Sequence, residues 1–323
     1  KPSAALEDRV NAELSLADLL IEGGDFDRAT RLLDAVEGAL KVAQADSSGH
    51  RETFLFVRGR LADRRGELAL RNARDNDAIE FYAKAKADFA AAGTGPAQEL
   101  LAHSASARGM ALSRVKRFDE ARKELEFAHA LQLKLNGPDH INTATAVHNL
   151  AYMHFQAGEI DRAEAFMAEA VALYQRILEP THPLNSTASL LLGRIREAKG
   201  DFAGAVSAHL QSVASAREVY GAGNQKVGFG LLYLALAQAK AGDPEAGLHS
   251  LDEAQAIYDA SFPAGDFNHG DIKVYRAMVV AIAGQLDDAR ALCTDGLAIL
   301  GSNLEPDDAY LAEMKGHCAE FGG

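Results

Sequence analysis

The chain has 323 residues, 48% apolar and 24% charged, with two cysteines and no tryptophan. Its 46 acidic against 33 basic side chains leave a formal net charge of −13, the reverse of the basic footprint that binding a phosphate backbone requires, so nucleic acid is excluded as the expected partner. The apolar share is that of a folded chain rather than a disordered one, and no apolar run reaches the roughly 18 residues that would cross a bilayer.

The sequence opens KPSAALEDRV. With neither an initiator methionine nor an apolar signal core, it reads as part of a longer or processed protein. Helical spacing of apolar residues follows, broken by a turn at Gly24. The next unit, about residues 50–95, is the least regular. Its turn is assigned to Ala73, with Gly66 before it and Ala78 and Tyr82 after it, and the stretch AGTGP at 92–96 closes it. Arg58, Arg60, Arg64, Arg65, Arg71 and Arg74 fall here, interleaved with Asp63, Glu67, Asp75 and Asp77. That pattern is expected to be a solvated, salt-bridged helix face.

From Lys116 onward the chain repeats itself every 42 residues, with turns at Gly158, Gly200, Gly242 and Gly284. A small residue stands five positions after each turn and another seven before it, so two antiparallel helices approach closely. Polar connections NGPDH, EPTHP, YGAGN and FPAGD separate the units, and an Asp or Asn near each connection's end is expected to cap the next helix. After GSNLEPDD the stretch from about 307 to 321 is one further helix, the lone cap of a repeat array. Cys293 and Cys318 fall on adjacent helices and are expected to be buried reduced thiols.

Residues 137–178 carry a GPDH loop, the Asn149–Ala151 stretch, the turn GEIDRA and an Ala-rich second helix. This pattern resembles the tetratricopeptide repeat (TPR), in the 42-residue form of kinesin light chains and many bacterial regulatory proteins. The resemblance implies an all-α fold: one right-handed α-solenoid domain over residues 1–323, of about seven helix-turn-helix repeats plus the capping helix. It also implies an interaction scaffold whose partner is another protein or a peptide segment. Homodimerisation is a further option left open by the sequence, and no cofactor is expected. Relatives that clamp a peptide backbone carry an asparagine ladder. Here Asn149 holds that place, but Ala107, Leu191, Tyr233 and Tyr275 take it in the neighbouring units.

Catalysis finds no support in the residues. None of the eleven histidines pairs as HxxxH or HExxH, His140 and His182 recur in loops at the repeat interval, and no metal set is indicated. Binding is better supported. The helix 227–240, VGFGLLYLALAQAK, has no polar face, and Phe229, Leu232, Tyr233 and Leu236 are expected to form an apolar stripe on the inner surface with Tyr275 and Met278. Nearer the N-terminus that surface becomes polar and aromatic, through Arg114, His148, Asn149, Tyr152, Phe155 and Arg194.

The functional expectation is a regulatory or sensory segment of a larger bacterial signalling protein. A free-standing adaptor and a phosphatase-like signalling enzyme on the same scaffold are the alternatives. The cytoplasm is the expected compartment, or the periplasm if the segment belongs to a membrane-anchored regulator.

Overall fold

The computed structural model describes residues 2–44 and 51–320. Residues 1 and 321–323, which the expected domain and capping helix include, lie outside the described residues, as do 45–50. The described residues form fifteen helices: α1 (Pro2–Glu22), α2 (Phe26–Gln44), α3 (Arg51–Arg71), α4 (Asp75–Ala92), α5 (Gly95–Arg114), α6 (Phe118–Asn136), α7 (Ile141–Gln156), α8 (Ile160–Ile177), α9 (Pro183–Lys199), α10 (Phe202–Tyr220), α11 (Gln225–Lys240), α12 (Pro244–Ser261), α13 (Phe267–Ile282), α14 (Leu286–Asn303) and α15 (Ala309–Ala319). No strand occurs among them. Seven hairpins and a final single helix result, an all-α repeat as expected.

Every hairpin turn has the same construction. Gly24, Ala73, Lys116, Gly158, Gly200, Gly242 and Gly284 all adopt positive φ, between 54° and 98°. At Ala73 the N–H donates to Leu70 O at 3.1 Å and the next N–H, of Arg74, reaches back to Ala69 O at 2.8 Å. The same two bonds recur at the other six turns. They satisfy carbonyls that a helix end leaves open. The turn assigned to the irregular second unit is therefore Ala73, as the spacing indicated.

Helix starts repeat as regularly. His140, His182, Asn224, Asp266 and Asp308 are the N-caps of α7, α9, α11, α13 and α15, and each side chain accepts from a backbone N–H two residues on. The two loop histidines thus take the Asn/Asp role through their Nδ1 atoms, each 3.2 Å from its donor.

Within hairpins, small residues bring the helices together and a larger one fills the gap. A Cβ on Gly66 would lie 2.8 Å from the Tyr82 ring, and one on Gly109 would lie 2.6 Å from Leu125. Where alanine holds the place, as at Ala17 and Ala235, the facing residues are Leu33 and Leu251, all fully buried.

The helices gather into two compact units, Lys1–Phe166 and Met167–Gly323, the division falling within α8. In the first unit, Val10, Leu14, Leu33 and Leu61 belong to one cluster, Leu112, Leu125, Leu150 and Met153 to a second, and Phe89 and Leu101 to a third. The second unit has a larger continuous core running from Val213 to Cys318.

One expectation is corrected there. Cys293 of α14 and Cys318 of α15 are joined in a disulfide, with Cα atoms 5.7 Å apart. Neither is a free thiol, because the capping helix packs against α14 and α13 and brings the two sulfurs together.

Candidate functional site

In the first unit, α1, α3, α5 and α7 present a polar face joined by hydrogen bonds. Arg60 donates to Asn11 at 2.6 Å. Arg64 pairs with Asp18, and with Asp63 at 3.0 Å. Asp63 is buried and also accepts from Ser104 at 2.5 Å. Burial pushes the Asp18 carboxyl up against the pull of Arg64, and burial likewise lowers Arg60. The basic run is salt-bridged as expected, yet Asp63 is 2% exposed rather than solvated. Its partner Ser104 on α5 is distant in sequence. The helical spacing of Arg60, Arg64 and Glu67 was the signal available for it.

The site residues expected in this unit are spread along that face. Asn149 donates to Ser106 at 2.8 Å, linking α7 to α5. Arg114 is exposed and pairs with Asp75 of α4 at 2.9 Å. His148, Tyr152 and Phe155 are half-buried on α7. Burial holds the His148 imidazole down to about 4, so it is neutral at physiological pH.

In the second unit, the expected stripe on α11 and α13 divides in two. Leu232, Leu236, Tyr275 and Met278 are buried in the core, at 0%, 6%, 6% and 7% exposure. An open apolar stripe through these four is therefore not what the fold produces. Glycines explain the difference. A Cβ on Gly228 would stand 2.6 Å from Tyr258, and one on Gly230 would stand 3.1 Å from Val213, so α11 is drawn in between α10 and α12. Phe229 alone of the stripe remains well exposed, at 42%, with Tyr233 half-buried beneath it.

Tyr233 is the hub of an aromatic platform. Phe229 meets it edge-on at 5.1 Å between centroids and Tyr275 edge-on at 5.7 Å, while His209 stacks on it at 5.9 Å. The Arg194 guanidinium lies 5.4 Å from its centroid, a cation–π distance. Burial raises the Tyr275 phenol well above its ordinary range, which keeps it a neutral donor. His209, which sequence reasoning did not single out, is fully buried, and its Nε2 lies 2.8 Å from Glu197.

Among the described residues, no group of three or more His, Cys, Asp or Glu is arranged to hold a metal ion. No helix among them is long and apolar enough to cross a membrane.

The family model of the tetratricopeptide repeat matches residues 100–176 and 145–218, the third to fifth hairpins. Residues 100–218 are tetratricopeptide repeats. Solved structures agree with that fold. TPR-like repeats of a kinesin light chain from Podosopora anserina are 21% identical at a TM-score of 0.57, over 64% of this chain and 98% of that one. A Rap protein complexed with competence and sporulation factor is 13% identical at 0.56, over 98% and 99%. A signal-transduction ATPase with a tetratricopeptide repeat sensor, from Pyrococcus horikoshii, is 12% identical at 0.72, over 98% of this chain but only 44% of the larger protein. No curated protein matches the sequence significantly.

Proposed function

We propose that this protein is an interaction scaffold that captures a peptide or helical segment of a partner protein through the Phe229–Tyr233 platform. A large aromatic exposed at 42% is supported from below by a ring that is itself wedged against Tyr275 and His209. That arrangement carries the reading. A rigid aromatic anchor loses little side-chain freedom on binding, and each apolar side chain buried on it contributes about 1.5–3 kcal/mol before ordering costs. Arg194, over the edge of the platform, supplies donors for a carbonyl or carboxylate of the captured segment. On the first unit, Arg114, His148, Asn149, Tyr152 and Phe155 offer a second, more polar contact area.

The wider role that fits best is the sensory segment of a larger bacterial signalling protein. Likeness over nearly the whole chain to part of a signal-transduction ATPase with a TPR sensor supports it. A free-standing adaptor is the second reading, favoured by the Rap protein, which this chain spans almost end to end. A buried disulfide is chemistry of oxidising compartments, which favours the periplasm over the cytoplasm.

Affinity capture from the native lysate, with the full chain and with Phe229→Ala and Phe229→Ala/Tyr233→Ala variants of unchanged helicity, tests the platform. Loss of the same partner from both variants is the expected result. Undiminished capture by the double variant would rule the platform out. The coding sequence on either side of this chain separates the sensor from the adaptor.

A further inference from the structure

In the second unit, α15 is fastened by one covalent bond across an interface that is otherwise poorly suited to stay shut. Its cap, Asp308, comes one repeat interval after Asp266, the cap of α13. It therefore stands where the first helix of a further hairpin would stand, packed on α13 and α14 as α13 is packed on α11 and α12. It has 11 residues where α13 has 16, and its buried side chains are Leu311, Met314 and Cys318.

Charge works against this contact. Asp271 of α13 is buried beneath α15 and accepts the Tyr310 hydroxyl. Burial pushes its carboxyl up to about 6, so at neutral pH it holds a buried charge, and Glu313 of α15 repels that charge. Tyr258 of α12 and Tyr275 of α13, which also feel it, are phenols that burial keeps neutral. Departure of α15 would return the carboxylate to water.

Packing is equally dependent on the bond. Cys293 holds the place in its hairpin that Leu33, Leu125, Met167 and Leu251 hold in others, all of them buried. A thiol is smaller than those side chains, so the space is filled only while Cys318 is joined to it. Gly316 in turn weakens the last turn of α15. A Cβ there would meet nothing within 4 Å, so packing does not require the glycine, and its freedom favours unwinding. Cys318, two residues further on and buried, is carried into solvent when that turn opens.

We propose that the Cys293–Cys318 disulfide is a reversible redox latch: a dithiol reductant enters through the Gly316 turn, α15 leaves α13 and α14, and the part of the core that Leu311 and Met314 cover is exposed. A thiolate of the reductant attacks the Cys318 sulfur, forming a mixed disulfide on α15 and releasing Cys293, which takes a proton. The reductant's second thiolate then attacks the reductant's own sulfur in that mixed disulfide, and Cys318 leaves and is protonated. Two electrons pass from the dithiol, which departs as a disulfide, and two protons end on the cysteines.

Treatment of the full chain with dithiothreitol in the absence of denaturant tests this, followed by thiol counting, amide exchange and the fluorescence of an apolar dye. Two thiols are expected to appear, with α15 exchange faster by about tenfold or more, α9 to α12 still protected, and dye binding increased. Oxidised glutathione should reverse all of these. Gly316→Ala should slow thiol release about fivefold, and Phe229→Ala should leave it unchanged, which keeps the latch separate from the platform. The proposal would be overturned by a disulfide that dithiothreitol leaves intact in the folded chain, or by α15 amides still protected once two thiols are counted. Equal loss of protection in α9 to α12, or release from Gly316→Ala as fast as from the parent, would overturn it too.

Discussion

The imidazole of His209 fills the space that a Cβ on Gly193 would need, its Cε1 atom 2.3 Å from where that carbon would stand. The ring cannot retreat, since it is fully buried and its Nε2 is 2.8 Å from Glu197. Gly193→Ala is therefore expected to cost about 1–3 kcal/mol by overpacking. Adding His209→Leu should recover much of the loss, because one repeat later Ala235 and Leu251, both buried in one core cluster, hold the equivalent places. Urea unfolding of both variants checks it, and a neutral single variant would contradict the packing.

Ala73 and Lys116 sit at φ 54° and 61°, where the other five hairpin turns use glycine. The left-handed conformation costs a residue with a Cβ about 1–2 kcal/mol, partly offset by glycine's greater freedom in the unfolded chain. Ala73→Gly and Lys116→Gly should each stabilise the protein by about 0.5–1 kcal/mol. The measurement is the urea midpoint. A lower midpoint in both would mean that these turns are not strained.

The Cys293–Cys318 disulfide closes a separation of 25 residues and fastens α15 to α14. Its loop entropy corresponds to about 3.5 kcal/mol. Reduction, or Cys293→Ala with Cys318→Ala, should lower the melting temperature and speed amide exchange in α15 first. Exchange that is unchanged after complete reduction would show that packing of Leu311 and Met314 alone holds the cap.

Asp271 is 2% exposed and accepts the Tyr310 hydroxyl, and burial pushes its carboxyl up to about 6 from 3.8. As pH rises from about 4 to 6 the unfolded chain gives up this proton before the folded one. Stability falls through that window by about 2–3 kcal/mol and stays low above it. Asp271→Asn keeps an acceptor for Tyr310 and removes the charge, so it should be more stable than the parent at pH 8 and equal to it at pH 4. In the first unit His148 works the other way. Its imidazole is depressed to about 4 by burial, so its contribution is lost as pH falls from about 6.5 toward 4. Denaturation of Asp271→Asn at both pH values is the check; a variant no more stable at pH 8 would contradict the buried-charge account.

Much of this was written locally in the chain. A helix that stops and reverses needs a left-handed residue, and a helix that starts needs an acceptor for its first N–H groups. Those needs recur at fixed spacing, which is why the turns from Gly24 to Gly284, the Asn and Asp caps, the seven hairpins and the final helix could be placed from residue identity alone. Even Ala73 was located by the small residues around it, without a glycine to mark it. The sequence by itself thus determined the repeat and its register. Only the tertiary structure decided which side chains face outward: Leu232, Leu236, Tyr275 and Met278 went into the core, Phe229 stayed out, Arg114 was tied to Asp75, and Cys293 met Cys318. The physical reason is that exposure depends on how closely helices from different repeats approach, and that distance is set jointly by residues such as Gly228 and Tyr258, which lie far apart in sequence.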